Sequence, residues 1–187
     1  MADVKGVLLN AWQRMLEQRY GDDRVAKAKA ALDAKDRGLL PLFFLDSNWY
    51  AFDALNAMRK LTRSLAERGE KNLSVEIGRC MAEGAFSGAY RSMMTKDPIK
   101  QVGKFSQITD FFFREARTLE TETVGEHGCI VRYRYNPSAY PSRGMCQSLI
   151  GFWSRVLEMA GASDVTGSHT KCSLNGADCC EFVLNWR

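Results

Sequence analysis

Cys146-Gln147-Ser148-Leu149-Ile150-Gly151-Phe152-Trp153, then His169-Thr170-Lys171-Cys172, then Cys179-Cys180-Glu181-Phe182, is the stretch on which the reading of this chain turns. It spells C-x22-H-x2-C-x7-C and runs out into an alternating apolar segment. Thiolate and imidazole are soft and borderline ligands, four of them close a tetrahedral site, and zinc is the metal such a set favours. Four protein ligands leave no open position, so a zinc site on Cys146, His169, Cys172 and Cys180 is structural and fastens a helix to a β-hairpin.

The choice among the cysteines follows from parity. Cys180, Phe182, Leu184 and Trp186 share one face of a strand because side chains alternate. That face meets a helix from about Arg143 to Met159, along which Cys146, Leu149, Ile150, Trp153, Val156 and Leu157 form one stripe. Cys179 points the other way and is the alternative ligand. His169 and Cys172 differ in parity on a regular strand, so the site requires a bulge or an early turn near Lys171. The competing reading is of ordinary buried thiols, since cysteine is among the most buried residue types.

Upstream, Thr118 to Val124 and Ile130 to Tyr135 read as strands around Gly125-Glu126-His127-Gly128, a hairpin in which His127 faces solvent. A second hairpin runs from Val165–Lys171 to Cys180–Trp186 through Asn175-Gly176-Ala177-Asp178. With the helix between, this is ββαββ, an antiparallel four-stranded sheet covered by helices.

The first hundred residues have a helical period. Val7, Leu8, Ala11, Trp12, Met15 and Leu16 form a stripe that Gly21 terminates. Asp22 to Ala34 is a second helix, and Pro41 makes the stretch Leu39 to Leu45 extended or turned at its start. Asp46 or Ser47 caps a helix carrying Trp49, Phe52, Leu55, Met58 and Leu61, which Gly69 ends. Leu73, Ile77, Cys80, Met81, Gly84 and Gly88 trace another face, whose small members Gly84, Ala85, Gly88 and Ala89 admit a close neighbour, with Cys80 as a core thiol. Pro98 opens an aromatic helix through Phe105, Ile108, Phe112 and Phe113. The expectation is one α+β domain over residues 1–187, mainly helical to about residue 100.

At 187 residues the chain fills one core. A net charge of +4 with no basic stripe excludes a nucleic-acid surface. Neither a signal-peptide core nor an apolar run of ~18–20 residues is present, which points to a cytoplasmic protein without a membrane span. Five of the six cysteines crowd the last third, as thiols or ligands and not disulfides. The chain has no G-x-G-x-x-G loop and no Ser/His/Asp arrangement. With His169 in the metal set, His127 is the one histidine left for acid–base work. An enzyme is not expected.

The Cys146/His169/Cys172/Cys180 spacing, with Gly151-Phe152-Trp153 between, resembles the 4-vinyl reductase domain over about residues 100–187. It is especially similar to the zinc-bound form in phenol-responsive activator sensors, where glutamate stands at the place of His169. That resemblance implies a fold shared with TRAPP-type vesicle-tethering subunits, dimerisation and an apolar ligand cavity. The opening, Lys5-Gly6-Val7-Leu8-Leu9-Asn10 to Arg19-Tyr20-Gly21, is similar to haem–nitric-oxide-binding domains and to an uncharacterised myxobacterial paralogous family. The haem family needs a helical proximal histidine and a Tyr-x-Ser-x-Arg clasp, and Tyr140-Pro141-Ser142-Arg143 has a different spacing.

The expected function is a non-catalytic sensor or regulatory domain for a small hydrophobic ligand, with a structural zinc site. Phe112, Tyr133 and Trp153 are candidates to line the pocket. It is expected to form a homodimer and to signal through a separate protein partner. The alternative is a dimeric interaction scaffold without a ligand.

Overall fold

Short backbone pairings that no period encodes decide where the helices of the first hundred residues begin and end. The computed structural model describes residues 2–67, 70, 72–88, 90–137, 139 and 142–187. In chain order it contains β1 (Asp3–Lys5), α1 (Gly6–Tyr20), α2 (Asp22–Ala30), α3 (Ala34–Gly38), β2 (Trp49–Ala51), α4 (Asp53–Leu65) and α5 (Leu73–Phe86). Then follow α6 (Pro98–Val102), α7 (Phe105–Phe112), β3 (Phe113–Arg114), β4 (Arg117–Thr123), β5 (Gly128–Tyr135), α8 (Arg143–Met159), β6 (Thr166–Lys171) and β7 (Cys180–Asn185).

Gly21 does end α1, at φ 82°, which a residue without Cβ adopts freely. The second helix stops at Ala30, short of the expected Ala34, because Asp33 accepts the Asp36 N–H at 2.8 Å and starts α3 instead. The helix expected from Asp46 or Ser47 begins only at Asp53. Trp49–Ala51 is held extended by antiparallel pairing with Lys5–Asp3, and Asp46 accepts from Asn10 Nδ2 at 2.7 Å. The aromatic helix after Pro98 is two helices, and Phe113 leaves it to pair with Val4. A three-stranded sheet in the order β2-β1-β3 results, which the sequence reading did not contain. The expected break at Gly69 lies outside the described residues.

The C-terminal half follows its periodicity. β4 and β5 form one hairpin, β6 and β7 the other, and pairing of β5 with β7 joins them in the order β4-β5-β7-β6. The α+β class stands.

Three glycines set the helix spacing. A Cβ on Gly84 would lie 2.5 Å from Ala11 Cβ, so α1 and α5 touch there, as the small-residue face predicted. The tightest crossing is between α5 and α8. A Cβ on Gly78 would lie 1.8 Å from the Ser148 carbonyl oxygen, and one on Gly151 would lie 2.0 Å from that of Val75. Beside this crossing, Arg79 donates to both Glu158 carboxylate oxygens, at 2.8 and 2.7 Å. No helix among the described residues is long and apolar enough to cross a membrane.

Candidate functional site

The four residues of the C-terminal pattern meet at one point. Ser142 caps α8 by accepting the Met145 N–H at 3.4 Å, which puts Cys146 in the first turn, facing the sheet. The β6–β7 register slips between His169 and Lys171. That slip is the irregularity the parity argument demanded, and it brings His169 and Cys172 to the same side. The ligand atoms of Cys146, His169, Cys172 and Cys180 all lie within 4.8 Å of one another.

Cys146 Sγ and Cys180 Sγ are 4.0 Å apart. A tetrahedron of ~2.3 Å metal–sulfur bonds has an edge of about 3.8 Å. Cys180 also accepts from the Ser173 N–H at 3.4 Å and lies 3.2 Å from its hydroxyl. The hydrogen bond shared with Cys146, then those from Ser173, hold the Cys180 thiol below its usual range. The same shared bond raises Cys146. His169 stacks on Phe182 at 4.6 Å, and its buried Nε2 has no hydrogen-bond partner. Cys179 is buried outside the cluster, which contains Cys180. His127 is exposed on the β4–β5 turn, as expected.

The second feature is a cavity of about 130 Å³ between α1, α4, α5, α7 and α8. Its apolar wall includes Leu8, Trp12, Ile77, Met81, Ile108, Phe112, Leu149 and Trp153. Of the three expected pocket residues, Phe112 and Trp153 line it. Tyr133 does not; it is fully buried, and its hydroxyl accepts the Trp153 Nε1–H at 2.7 Å. Phe105 stacks on the same indole at 3.9 Å, so one face of Trp153 is fixed by packing and its N–H by a bond.

Arg59, Arg63 and Arg117 also line the cavity, and the sequence reading passed over all three. A signal for two of them was present. Arg59 stands four residues after Leu55 and three before Thr62 on the inner face of α4. Arg117 shares the parity of Leu119 on β4, and both are buried. The Arg117 guanidinium lies 3.8 Å over the Phe113 ring and 4.6 Å over that of Tyr133. Its Nε is buried without a hydrogen-bond partner, as are Nε and Nη1 of Arg59. Burial first, and then the charge of Arg63, push the pKa of Arg59 down.

No family model matches the sequence, and no curated protein matches it. The fold is that of solved H-NOX proteins, the haem–nitric-oxide/oxygen-binding family. An S. oneidensis H-NOX protein in the Fe(II)NO ligation state is similar at TM-score 0.72 and 14% identity, over 98% of this chain and 99% of that one. An NMR structure of a Shewanella oneidensis H-NOX domain in the Fe(II)CO state gives 0.69 at 15%, over 98% of both chains. The Fe(II) unliganded protein from K. algicida gives 0.67 at 17%, over 98% and 96%.

These likenesses overturn the expectation of a 4-vinyl reductase, TRAPP-like domain over about residues 100–187. One fold runs through 98% of the chain, including the helical half that the reductase resemblance left uncovered. The physical reason is that a ligand spacing measures only the reach across one helix and one hairpin, which more than one fold can build. Zinc as the cofactor is overturned with it, because the solved proteins of this fold are described by Fe(II) ligation states.

Haem does not fit the residues present. Haem iron is held by histidine, cysteine, methionine or tyrosine. Among the described residues no histidine, cysteine or tyrosine lines the cavity, and the candidates there are Met81 and Met145. The two histidines of the chain lie elsewhere, on the β4–β5 turn and in the thiol cluster. A cavity of about 130 Å³ is also close to an engineered one of ~150 Å³ that binds benzene, far short of a porphyrin. Tyr140 and Pro141, compared with the haem clasp, lie outside the described residues.

Proposed function

We propose that the chain is a non-catalytic sensor domain on the H-NOX fold, whose cavity takes a small organic ligand where haem does not fit. The observation that carries this reading is the cavity of about 130 Å³, walled largely by apolar side chains and with no histidine, cysteine or tyrosine among its described lining residues. It lies between α1 and α4 on one side and α7 and α8 on the other. A bound molecule therefore bridges the two halves of the chain, and occupancy becomes a conformational signal that a protein partner or a second copy can read. The thiol cluster serves as a separate clasp: Cys146, His169, Cys172 and Cys180 hold a metal ion that ties α8 to the β6–β7 hairpin.

The test has two arms. Haemin titrated into the purified protein is expected to give no stoichiometric Soret complex. Small aromatic molecules are expected to raise the melting temperature in proportion to the logarithm of their concentration once it exceeds Kd. A one-to-one haem complex with a ligated spectrum, or a panel with no thermal shift, would sink the reading.

A further inference from the structure

We propose that the cavity ligand is a small carboxylate with an aromatic or compact aliphatic body of benzoate size, its charge received by Arg59 and Arg117. The inference rests on the reading of the cavity as a ligand site. It adds the chemistry of the ligand.

The argument starts from a cost. Arginine stays ionised inside proteins, and its five N–H groups all want acceptors. A buried charged group left without them costs several kcal/mol. Arg117 is only 8% exposed. The Phe113 and Tyr133 rings satisfy the faces of its guanidinium, since a cation over a ring is attracted by the quadrupole. Stacking does nothing for the in-plane donors, and Nε remains unbonded. Arg59 has neither ring nor carboxylate partner among the described residues, with Nε and Nη1 both buried.

The described residues of the cavity wall include no aspartate or glutamate, while Arg63 adds a third positive charge. The buried Arg117 and the half-buried Arg59, neither with a carboxylate partner among the described residues, face one largely apolar hollow and are complementary to an anion with an apolar body. Carboxylate matches the planar fork of arginine in bidentate fashion. The cavity of about 130 Å³ limits the body to a single ring or its aliphatic equivalent.

The experiment is calorimetric titration of the full-length chain with benzoate and with benzyl alcohol, a neutral ring of similar size. Benzoate is expected to bind at least tenfold more tightly. In Arg59→Gln and in Arg117→Gln, benzoate binding should weaken by roughly 10- to 100-fold, the range for loss of a hydrogen bond to a charged group. Benzyl alcohol should bind the wild type and both variants alike. Should Arg117→Gln fail to fold, Arg117→Lys keeps the charge without the fork and should still lose benzoate affinity. Equal affinity of the wild type for the two probes would overturn the arginine assignment and leave the cavity a ligand site. No binding of either probe would overturn both.

Discussion

Adding one methyl group at the α5–α8 crossing should destabilise the protein, although the same change stabilises most helices. In an open helix Gly→Ala gains about 1 kcal/mol, because glycine loses more backbone freedom on folding. At position 78 the new Cβ would sit 1.8 Å from the Ser148 carbonyl oxygen, a rigid backbone atom that cannot swing aside. The helices must separate by more than an ångström to reach ordinary contact, and Ile77, Met81 and Phe152 along the same crossing must give up packing. Overpacking of this kind costs about 1–3 kcal/mol and occasionally more. The backbone clash puts Gly78→Ala at the upper end, for a net loss of about 2 kcal/mol. For a chain of this size that lowers Tm by roughly 4–8 °C. Thermal unfolding followed by circular dichroism reads it. Gly38→Ala, at the end of α3 with nothing within 4 Å of its Cβ, is the control and should hold or slightly raise Tm. Because Gly78 and Gly151 face the same crossing, their double variant should cost less than the two singles together. A Gly78→Ala protein as stable as wild type would refute the reasoning.

Tyr133→Phe leaves the buried Trp153 Nε1–H without its acceptor and should cost about 1–3 kcal/mol in denaturant unfolding; an unchanged midpoint would show that the bond is dispensable. Glu158 is held below the usual carboxylate range, chiefly by the Arg79 hydrogen bonds. Its contribution is therefore fully present above the unfolded value of about 4.3 and fades as pH falls through the lower folded value. Glu158→Gln should flatten the loss of Tm between neutral and strongly acidic pH, and an unaltered acid limb would rule this out. For the thiol cluster, elemental analysis should find one bound ion per chain, lost in Cys172→Ser, and chelation should lower Tm. A metal-free protein with unchanged melting would mean that the four side chains are only neighbours.

Local period and ligand chemistry carried the C-terminal half of this protein. The bounds of α8, the two hairpins, and the meeting of Cys146, His169, Cys172 and Cys180 were legible, down to the slip before Lys171, because each rests on parity or on residues close in sequence. The sheet β2-β1-β3 was not. Its strands are two or three residues long and pair Asp3 with Ala51 and with Arg114, and a segment that short has no period to read. The α5–α8 crossing at Gly78 and Gly151 was hidden for a related reason, since a glycine announces that something can approach but not what does. Arg59 and Arg117 were not singled out in the sequence. Their alignment with Leu55 and with Leu119 was in the sequence, but only the tertiary structure shows that both open on one hollow. A sequence records which side of an element a residue occupies, but whether that side meets protein, water or a cavity depends on elements far away in the chain.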